Sequence, residues 1–179
     1  MKEVPGQYNN LLIIAGTGRN SGKTTLACQV INKFRQLSPV AVKISPHFHE
    51  PAAGLLEWHI EDGFSIFTEN NKEGNKDSSR MLGAGAAKVY YIVCRDEYIK
   101  KSFSMVFSTL PAGIPVVCES PSLAKFIDPG MLFIADNMGP GPKKNLLFDP
   151  EKADRVFHPL SEEPGTDSLY FSGGSWFFR

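Results

Sequence analysis

From Leu11 to Ala135 the chain alternates short apolar runs with segments in which apolar residues return at helical spacing. Leu11 to Gly16 is an apolar run closed by glycine, the pattern of a strand buried on both faces. Leu26, Ala27, Val30, Ile31 and Phe34 then fall on one side of a helix expected from Lys23 to about Leu37. Pro39 leads into a second strand, Val40 to Ser45. Asp77 or Ser78 has the character of an N-cap for a helix over Ser79 to Ala87, and Val89 to Cys94 is a β-branched and aromatic strand. Asp96 is placed to cap a helix running to about Leu110. Pro115 to Glu119 reads as a strand with proline in its first position, Pro121 to Phe126 as a short helix, and Met131 to Ala135 as the last clear strand. This alternation predicts an α/β fold, with a doubly wound, mainly parallel sheet and helices on both faces.

Two stretches break the alternation. Pro46 to Lys76 contains Pro46, Pro51, Gly54, Gly63 and Gly74 and a polar run from Glu69 to Lys76. A structureless loop of that length is unusual in a compact domain, and Phe64 to Phe67 alternates as a short strand would. The expectation is a partly ordered excursion over the active face, more mobile than the sheet. After Gly139-Pro140-Gly141-Pro142 regularity fades, and the tail ends in Gly173-Gly174-Ser175-Trp176-Phe177-Phe178-Arg179. Its aromatic residues suit core or homodimer packing better than a cofactor contact. No internal repeat is visible. The 179 residues suit one domain, with a core over about 10–136, the excursion at 46–76 and an irregular tail at 139–179.

Composition narrows the function classes. Hydrophobic residues make up 42% of the chain, enough for a packed core. Lysine plus arginine equals aspartate plus glutamate at 19 each, so no general nucleic-acid-binding surface is expected, a local basic patch aside. No apolar run approaches the ~20 residues of a membrane span, and Met1 to Asn10 lacks the apolar stretch of a signal peptide. Cys28, Cys94 and Cys118 are odd in number and far apart, and the last two close apolar runs. They read as reduced core thiols of a cytoplasmic protein. A catalytic role for Cys118, beside Glu119, lacks the surroundings that lower a thiol pKa.

The chemistry concentrates after the first strand, in Gly16-Thr17-Gly18-Arg19-Asn20-Ser21-Gly22-Lys23-Thr24-Thr25. A strand, a loop of small residues and a helix start, in that order, let backbone N–H groups close around phosphate oxygens. The helix N-terminus adds about half a positive charge. Lys23 is placed to reach terminal phosphates and the Thr24 hydroxyl to hold magnesium. The ligand this predicts is a magnesium-bound nucleoside triphosphate, ATP or GTP, held by residues from Thr17 and Gly18 through Ser21, Gly22 and Thr25. The usual spacing has glycine where Thr17 stands. Arg19 and Asn20 at the tip suit phosphate, a partner or solvent equally.

In open α/β sheets ligands gather at the carboxyl ends of the strands. Lys43 and Ser45, Glu119 and Ser120, and Asp136 and Asn137 stand at three such ends. Glu119, closing an apolar strand, is the first candidate for a magnesium carboxylate, and Asp77 the second. Lys43 suits either a small acidic substrate, an intermediate phosphate or solvent. His47, His49 and His59 admit a zinc site, contact with a phosphate or partner, or plain surface. Arg95, Lys100 and Lys101 suit a solvated helix face. Asp136 and Asn137 are placed to touch a nucleotide base, without a guanine-specific motif.

Several segments together resemble the P-loop proteins of the molybdopterin-guanine dinucleotide biosynthesis B-type family. These are Ser21-Gly22-Lys23-Thr24-Thr25-Leu26, Val40-Ala41-Val42-Lys43 with His47 and His49, Asp77-Ser78-Ser79-Arg80 with Gly83-Ala84-Gly85-Ala86, and the strand ending in Glu119. The loop is also similar to that of dethiobiotin synthetase and its relatives. The resemblance covers roughly residues 10–136. It implies a P-loop NTPase fold with Thr24, Asp77 and Glu119 around magnesium; beside it, the residues themselves make Lys23, Glu119 and Lys43 the catalytic candidates. The B-type likeness implies an adaptor that binds, and hydrolyses, nucleotide for a partner protein in molybdenum-cofactor-type biosynthesis. The other implies an enzyme coupling phosphoryl transfer to a small acidic substrate. The excursion is longer than the B-type pattern, and the tail beyond Asp136 matches neither.

Overall fold

The structure, a computed structural model, describes residues 8–48, 51–136, 150–158 and 166–179. Its main sheet has eight strands, β1 (Leu11–Gly16), β2 (Val40–Ser45), β3 (Leu55–Glu61), β4 (Phe64–Glu69), β5 (Lys88–Cys94), β6 (Val116–Glu119), β7 (Met131–Ala135) and β8 (Arg155–Phe157). They lie in the order β3-β4-β5-β2-β6-β1-β7-β8. Every pairing from β5 to β8 is parallel, and β4 runs antiparallel to both of its neighbours, β3 and β5. The fold is therefore α/β with a large, mainly parallel sheet.

Among the described residues three α-helices accompany it, α1 (Lys23–Lys33), α2 (Asp77–Gly83) and α3 (Ile99–Phe107). The central strands are apolar throughout because both faces are covered. Leu12 and Ile14 of β1 pack with Leu26, Val30 and Ile31 of α1 and Met81 of α2 on one face. Leu11 and Ile13 pack with Ile99, Phe103 and Val106 of α3 on the other. The two-residue periodicity of a strand thus divides one short segment between two cores.

Several boundaries differ from the sequence expectation. The first helix stops at Lys33, and a 3-10 turn over Arg35–Leu37 follows. Ser38 is left-handed at φ 52° and precedes Pro39, a position where helical backbone is disfavoured. Asp77 is the first residue of α2, not its cap; the cap position belongs to Lys76. That helix ends at Gly83, short of Ala87. Asp96 starts a 3-10 turn that runs into α3, which ends at Phe107. Over Pro121 to Phe126 the only helical residues are the 3-10 turn Leu123–Lys125.

The two irregular stretches are more ordered than their composition implies. Within 46–76 the strands β3 and β4 form an antiparallel hairpin joined through Asp62-Gly63. The hairpin continues the sheet beyond β5 rather than lying over the strand ends. Phe64 and Ile66 on its inner face are fully buried. In the tail, β8 adds a parallel edge strand, and β9 (Leu169–Ser172) and β10 (Ser175–Phe178) form a second hairpin. Gly173 and Gly174 join these strands with φ of 59° and 76°, the doubly left-handed turn that matches strand twist and favours glycine. Leu169 and Trp176 are buried against the α1 face of the core, and the Trp176 ring meets Phe34 edge-on at 5.0 Å. The tail aromatics therefore include true core residues. Gly139 to Pro142, Asn137 and His49 lie outside the described residues. Among the described residues, no helix is long and apolar enough to cross a membrane.

Candidate functional site

The register of the sheet brings the candidate residues together. Lys43 on β2 and Glu119 on β6 are direct neighbours across a parallel pair. Counting back by two, Ala41 and Val117 face the α1 and α2 side of the sheet, so Lys43 and Glu119 point to that side as well. There they meet the first turn of α1 and the first residue of α2. Lys43 Nζ lies 2.6 Å from Glu119 Oε1 and 2.8 Å from Asp77 Oδ2. The Thr24 hydroxyl donates to Glu119 Oε2 at 2.9 Å. Four residues distant in sequence form one connected cluster. Glu119 is buried, whereas the Asp77 side chain keeps 42% of its surface exposed.

The electrostatics of this cluster follow from its contacts. Burial disfavours the Lys43 ammonium, but the Glu119 and Asp77 carboxylates outweigh that cost and hold the amine above the usual lysine value. Burial also pushes the Asp77 carboxyl up. Lys43, the polar Thr24 hydroxyl and the nearby Arg80 charge together bring it below the usual carboxylate value. The thiols respond in the opposite sense. Burial pushes Cys28 up to about 11, raises Cys94, and sets Cys118 well above the ordinary range. A catalytic thiol at Cys118 has no support in such surroundings.

The loop preceding α1 is folded tightly on itself. A methyl group on Gly16 would fall 2.1 Å from Ser21 Oγ and 2.6 Å from Lys23 Cγ, so a side chain there would push both residues out of place. A methyl group on Gly18 would meet nothing within 4 Å. Lys23 Nζ donates to the Gly18 carbonyl at 2.7 Å and to Ser21 Oγ at 3.2 Å, spanning the loop from within. Arg19 and Asn20 form its exposed tip, with Asn20 left-handed at φ 59°. Thr17, which stands where the usual spacing has glycine, donates its hydroxyl to Asp136 Oδ1 at 2.9 Å. Its N–H reaches the Ala135 carbonyl. Asp136 thus anchors the loop to the end of β7, a role the sequence did not suggest.

Two further contacts escaped the sequence reading. Arg80 Nη2 stands 3.4 Å from Thr25 Oγ1, linking the second turn of α2 to the first turn of α1. Buried Glu69 at the end of β4 accepts from the hydroxyls of Ser78 and Ser79 at 2.7 and 3.0 Å. The adjacent Asn70 and Asn71 N–H groups complete its set. The hairpin is therefore clamped to the helix that carries Asp77. The Asp62-Gly63 dipeptide between apolar-alternating runs was the local signal for that hairpin.

Not every candidate joins the cluster. His59 lies on β3, stacked on Phe64, and His47 follows β2, its N–H bonded to Ser45 Oγ. Among the described residues no three histidines, cysteines or carboxylates converge as a metal cluster. A cavity of about 570 Å³ lies at the opposite end of β7, lined by Lys125, Asp128, Leu132, Lys152 and Asp154 among others. The donor set around Lys43 nevertheless suits a hard cation. It consists of two carboxylates and a hydroxyl, all oxygen donors, and already holds one positive charge in the Lys43 ammonium. No protein-family model matches the chain, and no curated protein or solved structure matches it.

Proposed function

We propose that the protein is a P-loop NTPase that binds a magnesium-bound nucleoside triphosphate, ATP or GTP, in the loop between β1 and α1. The observation that carries this reading is the cluster of Thr24, Lys43, Asp77 and Glu119 at the foot of that loop. Oxygen donors for a divalent cation stand beside the helix start that would receive the phosphates. Thr24, Asp77 and Glu119 would hold magnesium, directly or through water. Bound magnesium supplies neutralisation of charge on the terminal phosphates. The Lys23 ammonium and the loop N–H groups stabilise the charge that spreads over a transferring phosphoryl group. Glu119, held by Thr24 and Lys43, keeps this arrangement in a buried place where electrostatic interactions are strong.

The biological reading is an adaptor that couples nucleotide binding and hydrolysis to a partner protein in molybdenum-cofactor-type biosynthesis. The exposed apolar side chains of Leu56 and Trp58 on one face of β3, and of Ile60 on the other face beyond a bulge, support an adaptor by offering apolar surface inside the excursion. Lys43, beside the expected phosphate end, supports the alternative of an enzyme acting on a small acidic substrate. A thermal-shift screen of ATP, GTP and their diphosphates, with and without magnesium, tests the core of the proposal. A ligand at a hundredfold its Kd adds about 2.7 kcal/mol to apparent stability, which is readily seen. Nucleotide hydrolysis should fall by orders of magnitude in Glu119→Gln, which keeps shape and removes charge. No stabilisation by any nucleotide, or unchanged hydrolysis and magnesium demand in Glu119→Gln, would overturn it.

A further inference from the structure

We propose that Lys43 is a tethered cation that occupies the carboxylate pair until a metal-bound nucleotide displaces it, so the site accepts magnesium only with a triphosphate. The inference rests on the reading of the site given above and extends it to what the site selects. Both oxygens of the Glu119 carboxylate are committed, Oε1 to the ammonium at 2.6 Å and Oε2 to the Thr24 hydroxyl at 2.9 Å. Asp77 Oδ2 holds the same ammonium at 2.8 Å. Lys43 therefore already holds one oxygen of each carboxylate that would bind a divalent cation.

The charges decide what can enter. Two carboxylates and one ammonium sum to a single negative charge. A bare divalent ion would have to share these carboxylates with the ammonium at close range, where like charges repel most strongly beside the buried Glu119. Expelling the ammonium alone exchanges a good ion pair for an exposed amine with nothing to bind, so free magnesium gains little. A triphosphate changes the balance by bringing several negative charges to the mouth of the loop. The ammonium then has phosphate oxygens to move to, and its flexible four-carbon stem lets the charge swing without moving β2. The carboxylates pass from ammonium to metal, and no buried charge is left unpaired at any stage. An ordinary structural ion pair makes a different prediction. Its loss would destabilise the protein, and divalent ions would not repair the damage.

The test measures metal binding without nucleotide. Manganese is titrated into the wild type and Lys43→Met while free manganese is followed by its electron paramagnetic resonance signal. Melting temperature is followed in parallel in chelator and in magnesium. The wild type should bind manganese weakly and show no magnesium-dependent shift. Lys43→Met should bind manganese about tenfold or more tightly than the wild type, because the acid pair is freed. It should also melt lower in chelator and recover in magnesium. Adding Glu119→Gln to that variant should abolish the recovery. A Lys43→Met protein with no metal response would overturn the inference. Should Lys43→Met not fold, the wild type alone decides. Tight manganese uptake without nucleotide overturns the proposal, whereas uptake appearing only with a non-hydrolysable triphosphate supports it. The metal-only arms involve no nucleotide, so they stand or fall separately from the phosphate-cradle reading.

Discussion

The centre of the sheet and its β3–β4 edge treat apolar and charged residues in opposite ways. On β1, β2 and β6 every residue below the strand ends is apolar and buried, and charge appears only at Lys43 and Glu119, at or near the carboxyl ends. Those charges meet partners on two helices within hydrogen-bond distance. On β3 apolar and charged residues share the same exposure, since Leu56, Trp58 and Ile60 are exposed beside Glu57 and Glu61. The contrast shows where the fold tolerates disagreement between composition and environment. A central strand is covered on both faces and can place polar chemistry only at its end. An edge strand is covered less completely, so Leu56 and Ile60 stay exposed while Trp58 packs edge-on against the core residue Tyr90 at 5.7 Å.

Four perturbations bear on this contrast, the largest first. Phe64→Ala removes the fully buried anchor by which the hairpin joins the core and should cost about 3–5 kcal/mol in urea unfolding. A loss below ~1 kcal/mol would mean that the hairpin is as loosely held as its composition suggested. Lys23→Ala should weaken triphosphate binding about a hundredfold or more, with an unchanged unfolding midpoint, because the ammonium lies within the loop and not in the core. Isothermal titration at fixed magnesium reads this directly, and equal affinity would remove the loop from the site.

The third perturbation is pH. The Asp77 pKa is lowered in the folded protein, so its stabilisation is present above the unfolded carboxylate value of about 4 and is lost as pH falls through its lowered value. The Lys43 pKa is raised, so its contribution is complete below about 10.5 and is lost only as pH rises through the higher folded value. Stability arising from the cluster should be flat between those limits. Asp77→Asn should shrink the acid-side slope, and an identical pH profile in that variant would show that the ion pair does not form. The smallest effect is expected at the edge. Ile60→Ser should change stability by no more than about 0.5 kcal/mol and leave nucleotide affinity unaltered. A larger loss would place Ile60 inside an interface.

The strands that build the site were legible in the sequence because an uninterrupted apolar run ending in glycine or a charged residue has few alternatives to a doubly covered strand. Thr24, Lys43, Asp77 and Glu119 were each visible as residues at strand or helix ends. The glycine-rich loop was visible for a local reason, since small residues between a strand and a helix leave room only for backbone. Local patterning also made β4 detectable, while β3, β8 and the β9–β10 hairpin were hidden among proline, glycine and polar residues. Their turn dipeptides, Asp62-Gly63 and Gly173-Gly174, were the overlooked signals.

Tertiary structure alone decided which ends meet. Nothing in the order of residues along the chain says that β2 lies beside β6, yet that neighbour relation sets Lys43 against Glu119. The same applies to Thr17 and Asp136, 119 positions apart, and to Glu69 and the serines that open α2. Periodicity fixes which face a side chain takes, because it depends on backbone geometry a few residues long. Strand order depends on how long crossovers pack two cores at once. For that reason the sequence by itself determined the kinds of group this protein places at its strand ends, and only the folded sheet decided that one lysine would stand between two acids.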